Sequence, residues 1–309
     1  MTDSAGNRVL VRNPTSGNRR ASDRARAIAL ERGYEVRDST SPGETVSHAT
    51  AAANDGATLV AACGGDGTVN EVVRGVMAND ALDDVRLGVV PTGTGNDFAA
   101  TLGIRNVVHA FDVLDAGEVR RLDLGMADGR PFVNSCIGGL PAAASARTTP
   151  TMKRRLGSLA YLLSTLQHAR EFEPLRLAIR AGPENAVPVW TGEAVVLLIG
   201  NGRSLPGDDR HQANVEDGLL DVVVVERAPP LDYLARGVTE RFLRRDSEYL
   251  TRLRVPSLAV THEGDPVQFS LDGEMMRRAS LRVRCLQRAV SFHVGARYDP
   301  RPTNRSALR

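Results

Sequence analysis

Gly64, Gly65, Asp66, Gly67 and Thr68 follow the apolar run LVAAC at 59–63, with Asn70 and Glu71 close behind. Glycines let backbone amides close on phosphate oxygens and accept positive φ. A helix opening near Thr68 would add its free amides and positive end to an anion. Asp66 repels phosphate by itself, so a carboxylate in such a nest makes sense where a divalent ion, usually magnesium, mediates. The same residues also read as an ordinary D-G turn with Thr68 as a helix N-cap. A second loop, Thr92, Gly93, Thr94, Gly95, Asn96 and Asp97, follows RLGVVP at 86–91 and leads into Phe98. Two such loops at neighbouring strand ends could grip different parts of one nucleotide. On the plainer reading Asn96 and Asp97 cap a helix and Phe98 fills the core. A third turn, Asn13, Pro14, Thr15, Ser16 and Gly17, follows the strand-like RVLVR at 8–12.

None of these loops is a standard nucleotide fingerprint. Phe98 stands where G-x-G-x-x-G needs its third glycine. No G-x-x-x-x-G-K-[ST] is present, because Lys153 is the one lysine among 39 basic residues. Phosphate recognition without a P-loop ammonium must rest on loop amides, metal and arginine.

The elements that hold these loops alternate. After RVLVR, a helix pattern runs from about Arg19 to Arg32 and another from about Glu44 to Asn54. Val69, Val72, Val73 and Val76 mark a third at helical spacing. Strand, glycine-rich turn and helix recur twice, which predicts an α/β domain over 1–125 with a mostly parallel sheet. Ligands of such sheets bind outside the carboxyl ends of the strands, where both glycine loops fall. Beyond about residue 125 the chain becomes a series of short strand candidates, among them WTGEAVVLLIG, GLLDVVVVER, DPVQFSLDGE, ASLRVRCL and AVSFHVG. Leu281, Val283 and Cys285 alternate with Arg282 and Arg284, the pattern of an antiparallel sandwich. Helical segments interrupt this second domain, 126–300, at about 153–170 and 231–246, and 301–309 reads as a loose tail.

Composition narrows the function classes. The chain has 309 residues, 42% hydrophobic and 25% charged, an ordinary globular balance. A formal net charge of +2 and 4% aromatics argue against nucleic acid, whether duplex or single strand. Three scattered cysteines form neither a disulfide framework nor a zinc site, the pattern of a reduced intracellular protein. Six isolated histidines supply no metal motif. The N-terminus lacks a secretory pattern and no apolar run approaches 18 residues, so a cytoplasmic chain is expected.

NPTSG at 13–17, GGDGT with Asn70 and Glu71, PTGTGNDFA at 91–99, DLG at 123–125, DG-L-D at 217–221 and DGE at 272–274 occur in one order. Together they resemble the bacterial-type diacylglycerol kinase and lipid kinase family, whose catalytic domain is also found in sphingosine kinases. The resemblance implies an N-terminal α/β domain, a C-terminal β-sandwich whose last segment returns to the first domain, and ATP with magnesium bound in the cleft. It implies ATP contacts at Asn13 to Gly17, at Thr40, along Gly65 to Glu71, and at Thr94. It implies a catalytic Glu274 with Asp272 beside it, and a structural magnesium on Asp217 with carbonyls near Asn214 and Leu219.

Chemistry gives those implied roles content. Phosphoryl transfer needs neutralised phosphates, an aligned hydroxyl and a proton acceptor. On a regular strand Asp272 and Glu274 would share a face, although Gly273 favours a bend. DGE also reads as a plain hairpin turn, and Asp217 and Asp221 as loop carboxylates. The stretch after Asn201, with Asp208 and Asp209, departs from the family's glycine-rich pattern.

The expected acceptor is a lipid with a free hydroxyl, diacylglycerol or a relative. Residues 152–166 join Lys153, Arg154 and Arg155 to Leu156, Leu159, Leu163 and Leu166, which suits either an anionic membrane face or a helix packed on a sheet. Contact with the inner membrane face would be peripheral, and a homodimer is left open. The competing readings are an NAD kinase-like enzyme and a non-catalytic, nucleotide-responsive lipid-binding protein.

Overall fold

A computed structural model of the chain describes residues 7–15, 17–139, 174–204, 212–226 and 249–303. The helices expected at 153–170 and 231–246, the basic segment 152–166, and Asp208 and Asp209 lie outside the described residues, as does most of the tail. The chain divides into two compact units. One comprises Met1–Leu124 with Gln287–Pro300, the other Gly125–Leu286 with Arg301–Arg309.

The first unit opens with β1 (Arg8–Arg12), α1 (Arg19–Glu31), β2 (Glu35–Asp38), α2 (Glu44–Asn54), β3 (Leu59–Gly64), α3 (Asp66–Ala78) and β4 (Arg86–Pro91). It continues through α4 (Asp97–Thr101), α5 (Val107–Ala116) and the start of β5 (Glu118–Ala127). β1 lies between β2 and β3, and β3 pairs with β4, all in parallel. The end of β15 (Ser280–Val294) then pairs with β4, Phe292 opposite Leu87, also in parallel. Strand order 2-1-3-4 has its switch point at β1 and β3, whose following turns leave on the same edge of the sheet. β3 is buried along its whole length, as a strand covered on both faces must be. Phe98 and Phe292 meet edge to face at 5.1 Å in the core of this unit.

The second unit is antiparallel. It takes the end of β5 with β6 (Arg130–Phe132), then β7 (Ser135–Gly139), β8 (Leu175–Ala181), β9 (Val187–Gly200) and β10 (Leu220–Glu226). β11 (Leu250–Val255), β12 (Ser257–His262), β13 (Val267–Leu271), β14 (Glu274–Arg278) and the first part of β15 complete it among the described residues. β9 is the hub: its first half pairs with β8 and its second half with β7 and β10. Phe132, Ile179, Leu197, Val222, Leu258, Phe269 and Leu281 fill one buried cluster. In β15 the alternation read from sequence holds, with Leu281 and Val283 buried and Arg282 and Arg284 exposed.

His293 carries a pH dependence. The residue is 5% exposed, and burial, helped by Arg86, holds its pKa below the ordinary value against the opposing pull of Val113 and Asp115. The fold therefore prefers the neutral ring. Its contribution is complete above the unfolded pKa of about 6.5 and is lost as pH falls from there through the folded value. The unfolding midpoint should drop as pH falls below about 6.5, and His293→Gln should flatten that part of the curve. Thermal melts across the range check it.

Candidate functional site

β1, β3 and β4 end side by side, and the three turns that follow them are fused backbone to backbone. The amides of Thr92 and Gly93 donate to the Gly64 carbonyl at 3.0 and 3.1 Å, and the Asn13 amide donates to Cys63 at 3.1 Å. Asn18, whose side chain caps α1, donates its own amide to the Thr92 carbonyl at 2.8 Å. Gly17 has φ +77°, and a Cβ there would lie 2.2 Å from the Thr92 oxygen. A Cβ on Gly93 would lie 2.3 Å from the Cα of Gly65. These glycines are contact surfaces between loops as well as turn formers.

Asp66 has a definite task in this arrangement. Its Oδ2 accepts the Asp97 amide at 3.2 Å and its Oδ1 the Phe98 amide at 3.0 Å. The carboxylate of the first glycine loop thus caps the helix that follows the second. Asn96 leaves that duty because its side chain turns back on its own loop, accepting from the Gly93 amide at 3.0 Å and donating to the Gly93 carbonyl at 2.8 Å. It adopts a left-handed conformation to do so, φ +64°. The Gly65 N-cap of α3 makes no side-chain cap, so the N-terminus expected near Thr68 begins two residues earlier, at Asp66. Thr68 and Asn70 are buried, whereas Gly67 in the first turn of α3 is exposed, as are Thr94 and Gly95 at the tip of the second loop.

Arg12 anchors the third turn from below, a residue that the sequence did not single out. It is 6% exposed and forks onto Asp38 at 2.6 and 3.0 Å, with Asp23 at 3.0 Å. The Asp38 hydrogen bond is the main cause that raises its pKa, against the cost of burial. Above it, Asn13 Oδ1 accepts from both the amide and the hydroxyl of Thr15, at 3.1 and 2.8 Å. Ser16 lies outside the described residues. Exposed Thr40 begins a separate turn, where Glu44 accepts from its amide at 2.5 Å and its hydroxyl at 3.0 Å. Those bonds hold the Glu44 carboxyl down at about 2.

The second unit carries the distal carboxylates. Leu271 pairs with Glu274, which leaves Asp272 and Gly273 as a two-residue hairpin turn, φ +48° and +103°. The bend separates the two acids, so they do not share a strand face. Asp272 Oδ2 accepts the Val133 amide at 2.6 Å, while Oδ1 accepts those of Asn134 and Ser135 at 3.0 and 2.9 Å. Three amide donors fix this carboxylate as a clamp between the hairpin and the β6–β7 turn. Glu274, the first residue of β14, is one third exposed and ion-paired with Arg130 of β6. Nothing local in the sequence marks Arg130, which lies 144 residues away in the chain.

Asp272→Asn removes the charge and one acceptor oxygen from three donors. We expect a loss of about 1–3 kcal/mol, read as a midpoint several degrees lower, because charge-assisted amide bonds are replaced by fewer, weaker ones.

At the start of β10, Asp217 Oδ1 accepts the Leu219 amide at 2.9 Å and Asn214 Oδ1 the Glu216 amide at 3.1 Å. Arg254 of β11 pairs with both Asp217 and Asp221, the latter at 3.1 Å. Among the described residues no three His, Cys, Asp or Glu side chains gather as a metal-ligand group. No helix among them is long and apolar enough to cross a membrane.

Residues 7–127 match the family model described as diacylglycerol kinase catalytic domain. Residues 134–294 match that of the YegS C-terminal NAD kinase beta sandwich-like domain. A Stenotrophomonas maltophilia protein named "Probable lipid kinase YegS-like" is 30% identical over 94% of this chain and 96% of its own. One of the same name from Pseudomonas aeruginosa is 34% identical over 78% and 77%. Among solved structures, a putative diacylglycerol kinase from Bacillus anthracis aligns with a TM-score of 0.77 at 23% identity, covering 97% of this chain and 100% of that one. An Archaeoglobus fulgidus NAD kinase aligns at 0.52 and 13% identity, over 94% and 95%. Both likenesses speak for the two-domain fold, α/β followed by β-sandwich.

Proposed function

The chain belongs to the YegS-like lipid kinases, with their diacylglycerol kinase catalytic domain, and from that premise we propose that it moves the γ-phosphate of ATP onto a free lipid hydroxyl. Diacylglycerol, giving phosphatidic acid, is the first acceptor to test. The observation that carries the reading is the fusion of three strand-end turns around the uncapped N-terminus of α3. That arrangement offers backbone amides and a positive helix end to phosphates in a chain that has no P-loop lysine.

In this reading the acceptor hydroxyl oxygen attacks the γ-phosphorus. The bond from that phosphorus to the β–γ bridging oxygen breaks, ADP leaves, and the hydroxyl proton passes to a carboxylate. Glu274 is the acceptor of that proton. It is partly exposed, and its partner Arg130 is a charge that orients it without accepting the proton itself. Asp272, bound by three amides, fixes the hairpin turn from which Glu274 leads into β14. The ATP contacts are Asn13 to Gly17, Gly64 to Glu71 and Thr94 to Asp97. Thr40 is a peripheral contact at most, since its polar groups are engaged by Glu44. Magnesium bound with ATP would neutralise phosphate charge. Asp66 suits that ion because each of its oxygens accepts one amide, from Asp97 and Phe98, and a carboxylate oxygen has capacity for a further partner.

The lipid would be met at a bilayer surface, and the Lys153–Arg155 cluster gives a sequence basis for peripheral attraction to anionic headgroups. The test is ATP turnover with magnesium against vesicles containing diacylglycerol, monoacylglycerol, phosphatidylglycerol or a sphingoid base, with NAD as the soluble arm. Phosphorylation of one lipid and not of NAD supports the reading. NAD phosphorylation, or ATP binding with no transfer to any acceptor, overturns it.

A further inference from the structure

The lipid kinase resemblance brings a structural magnesium to Asp217, with the carbonyls of Asn214 and Leu219. The side chains here do not fit a bare divalent ion. Asp217 is 20% exposed at its side chain and Asp221 13%, so neither relies on bulk water for its charge. Asp217 Oδ1 is held by the Leu219 amide at 2.9 Å, which closes a turn over Gly218 at φ +72°. Its other oxygen receives Nη2 of Arg254. Nε of the same guanidinium donates to Asp221 at 3.1 Å.

The pairing is built into the sheet. β10 and β11 run antiparallel with Asp221 directly opposite Arg254. The guanidinium is placed by register, and a chain that lays down this hairpin brings it to both acids without further search. Asp217 lies four residues before Asp221, at the far side of the turn that feeds β10, so one planar cation ties the turn to the strand. Arginine stays charged at any accessible pH and presents several donors in a fixed fork. Magnesium, by contrast, needs near-octahedral oxygen ligation at short range and gives up its water reluctantly. An ion on the Asp217 oxygen that Arg254 holds would displace the guanidinium or stand against its charge.

We infer that Arg254 is the resident cation of the Asp217 loop, and that this chain holds the loop by arginine where its family uses a magnesium ion. The second unit would then keep its fold at low free magnesium, leaving the metal requirement to the nucleotide alone.

The test uses the full chain without nucleotide or lipid, so it stands apart from the kinase reading. Thermal unfolding is followed in chelator and in millimolar magnesium, for the native chain, Arg254→Met and Arg254→Lys. The native midpoint should be the same in both solutions. Arg254→Met should melt about 2–4 °C lower in chelator, the size expected for one partly exposed charge pair. Added magnesium should recover part of that loss in Arg254→Met only, because that variant alone lacks the cation that bridges the two acids. Arg254→Lys should fall between the two, since an ammonium can reach one acid but cannot fork. A native midpoint that falls in chelator and returns with magnesium overturns the inference. So does an Arg254→Met chain that melts like the native one. Should Arg254→Met fail to fold, titration of the native chain with manganese decides: no bound ion supports the inference, and one stoichiometric ion overturns it.

Discussion

Glu274→Gln should reduce lipid phosphorylation by about 10²–10⁴-fold while the KM for ATP stays within about twofold. The amide keeps the size and polarity of the side chain but cannot take a proton. A loss in turnover alone is therefore the signature of a missing general base. The substitution is also mild for the fold. Glu274 is one third exposed, it opens β14 opposite Leu271, and it is ion-paired with Arg130. A glutamine oxygen can still accept from that guanidinium. Arg130→Lys supplies the contrast. If Arg130 orients the carboxylate, lysine should cost a smaller fraction of turnover than Glu274→Gln and leave ATP binding intact. Unchanged turnover in Glu274→Gln removes this residue from the chemistry. A parallel loss of ATP binding and melting temperature would assign it to the fold instead.

The parts of this site that were legible in the sequence are those that local chemistry sets. Apolar runs bounded by glycine locate β1, β3 and β4, and helical spacing locates α1, α2 and α3 to within a residue or two. β2 has three charged residues in four and flanks β1 at the sheet edge, where apolar alternation is not required. The sequence therefore offered no sign of it. The two candidate strands at 279–286 and 289–295 are one strand, β15. Their apolar pattern breaks where Arg288 takes φ +49° and gives its amide to Asp123 at 2.8 Å. What the sequence could not supply is the identity of long-range partners. Asp66 invites a metal reading because an acid among glycines has no local use. Its use is an amide pair 31 and 32 residues further on. The Asp38 partner of Arg12, the Glu274 partner of Arg130 and the Asp217 partner of Arg254 are likewise matters of strand order and register. Within each unit the carboxylates were visible as motifs, and their arginine partners only after folding.

Gly17→Ala should abolish tight ATP binding and lower stability together, and the reason is geometric. An alanine at φ +77° bears a strain of about 1–3 kcal/mol even in open space. At this position there is no open space, because the new methyl would lie 2.2 Å from the Thr92 oxygen and 2.5 Å from the Gly93 Cα. Both obstacles are backbone, so no rotamer change relieves them. The 13–17 turn would have to withdraw from the 92–97 loop. That movement would also break the 2.8 Å bond from the Asn18 amide to Thr92, at the start of α1. Phosphate recognition by amides depends on their converging on one point, and a displacement of about 1 Å in one loop can cost about 10²-fold in a positioned reaction. Gly33→Ala provides the control. Its φ is +75°, nearly the same, yet no atom lies within 4 Å of the added Cβ. It should carry the backbone strain alone. If Gly17→Ala and Gly33→Ala lose the same stability and both bind ATP normally, the close packing of the loops has no part in binding. If Gly17→Ala loses more stability and ATP affinity falls only there, the contact between the turns creates the phosphate site.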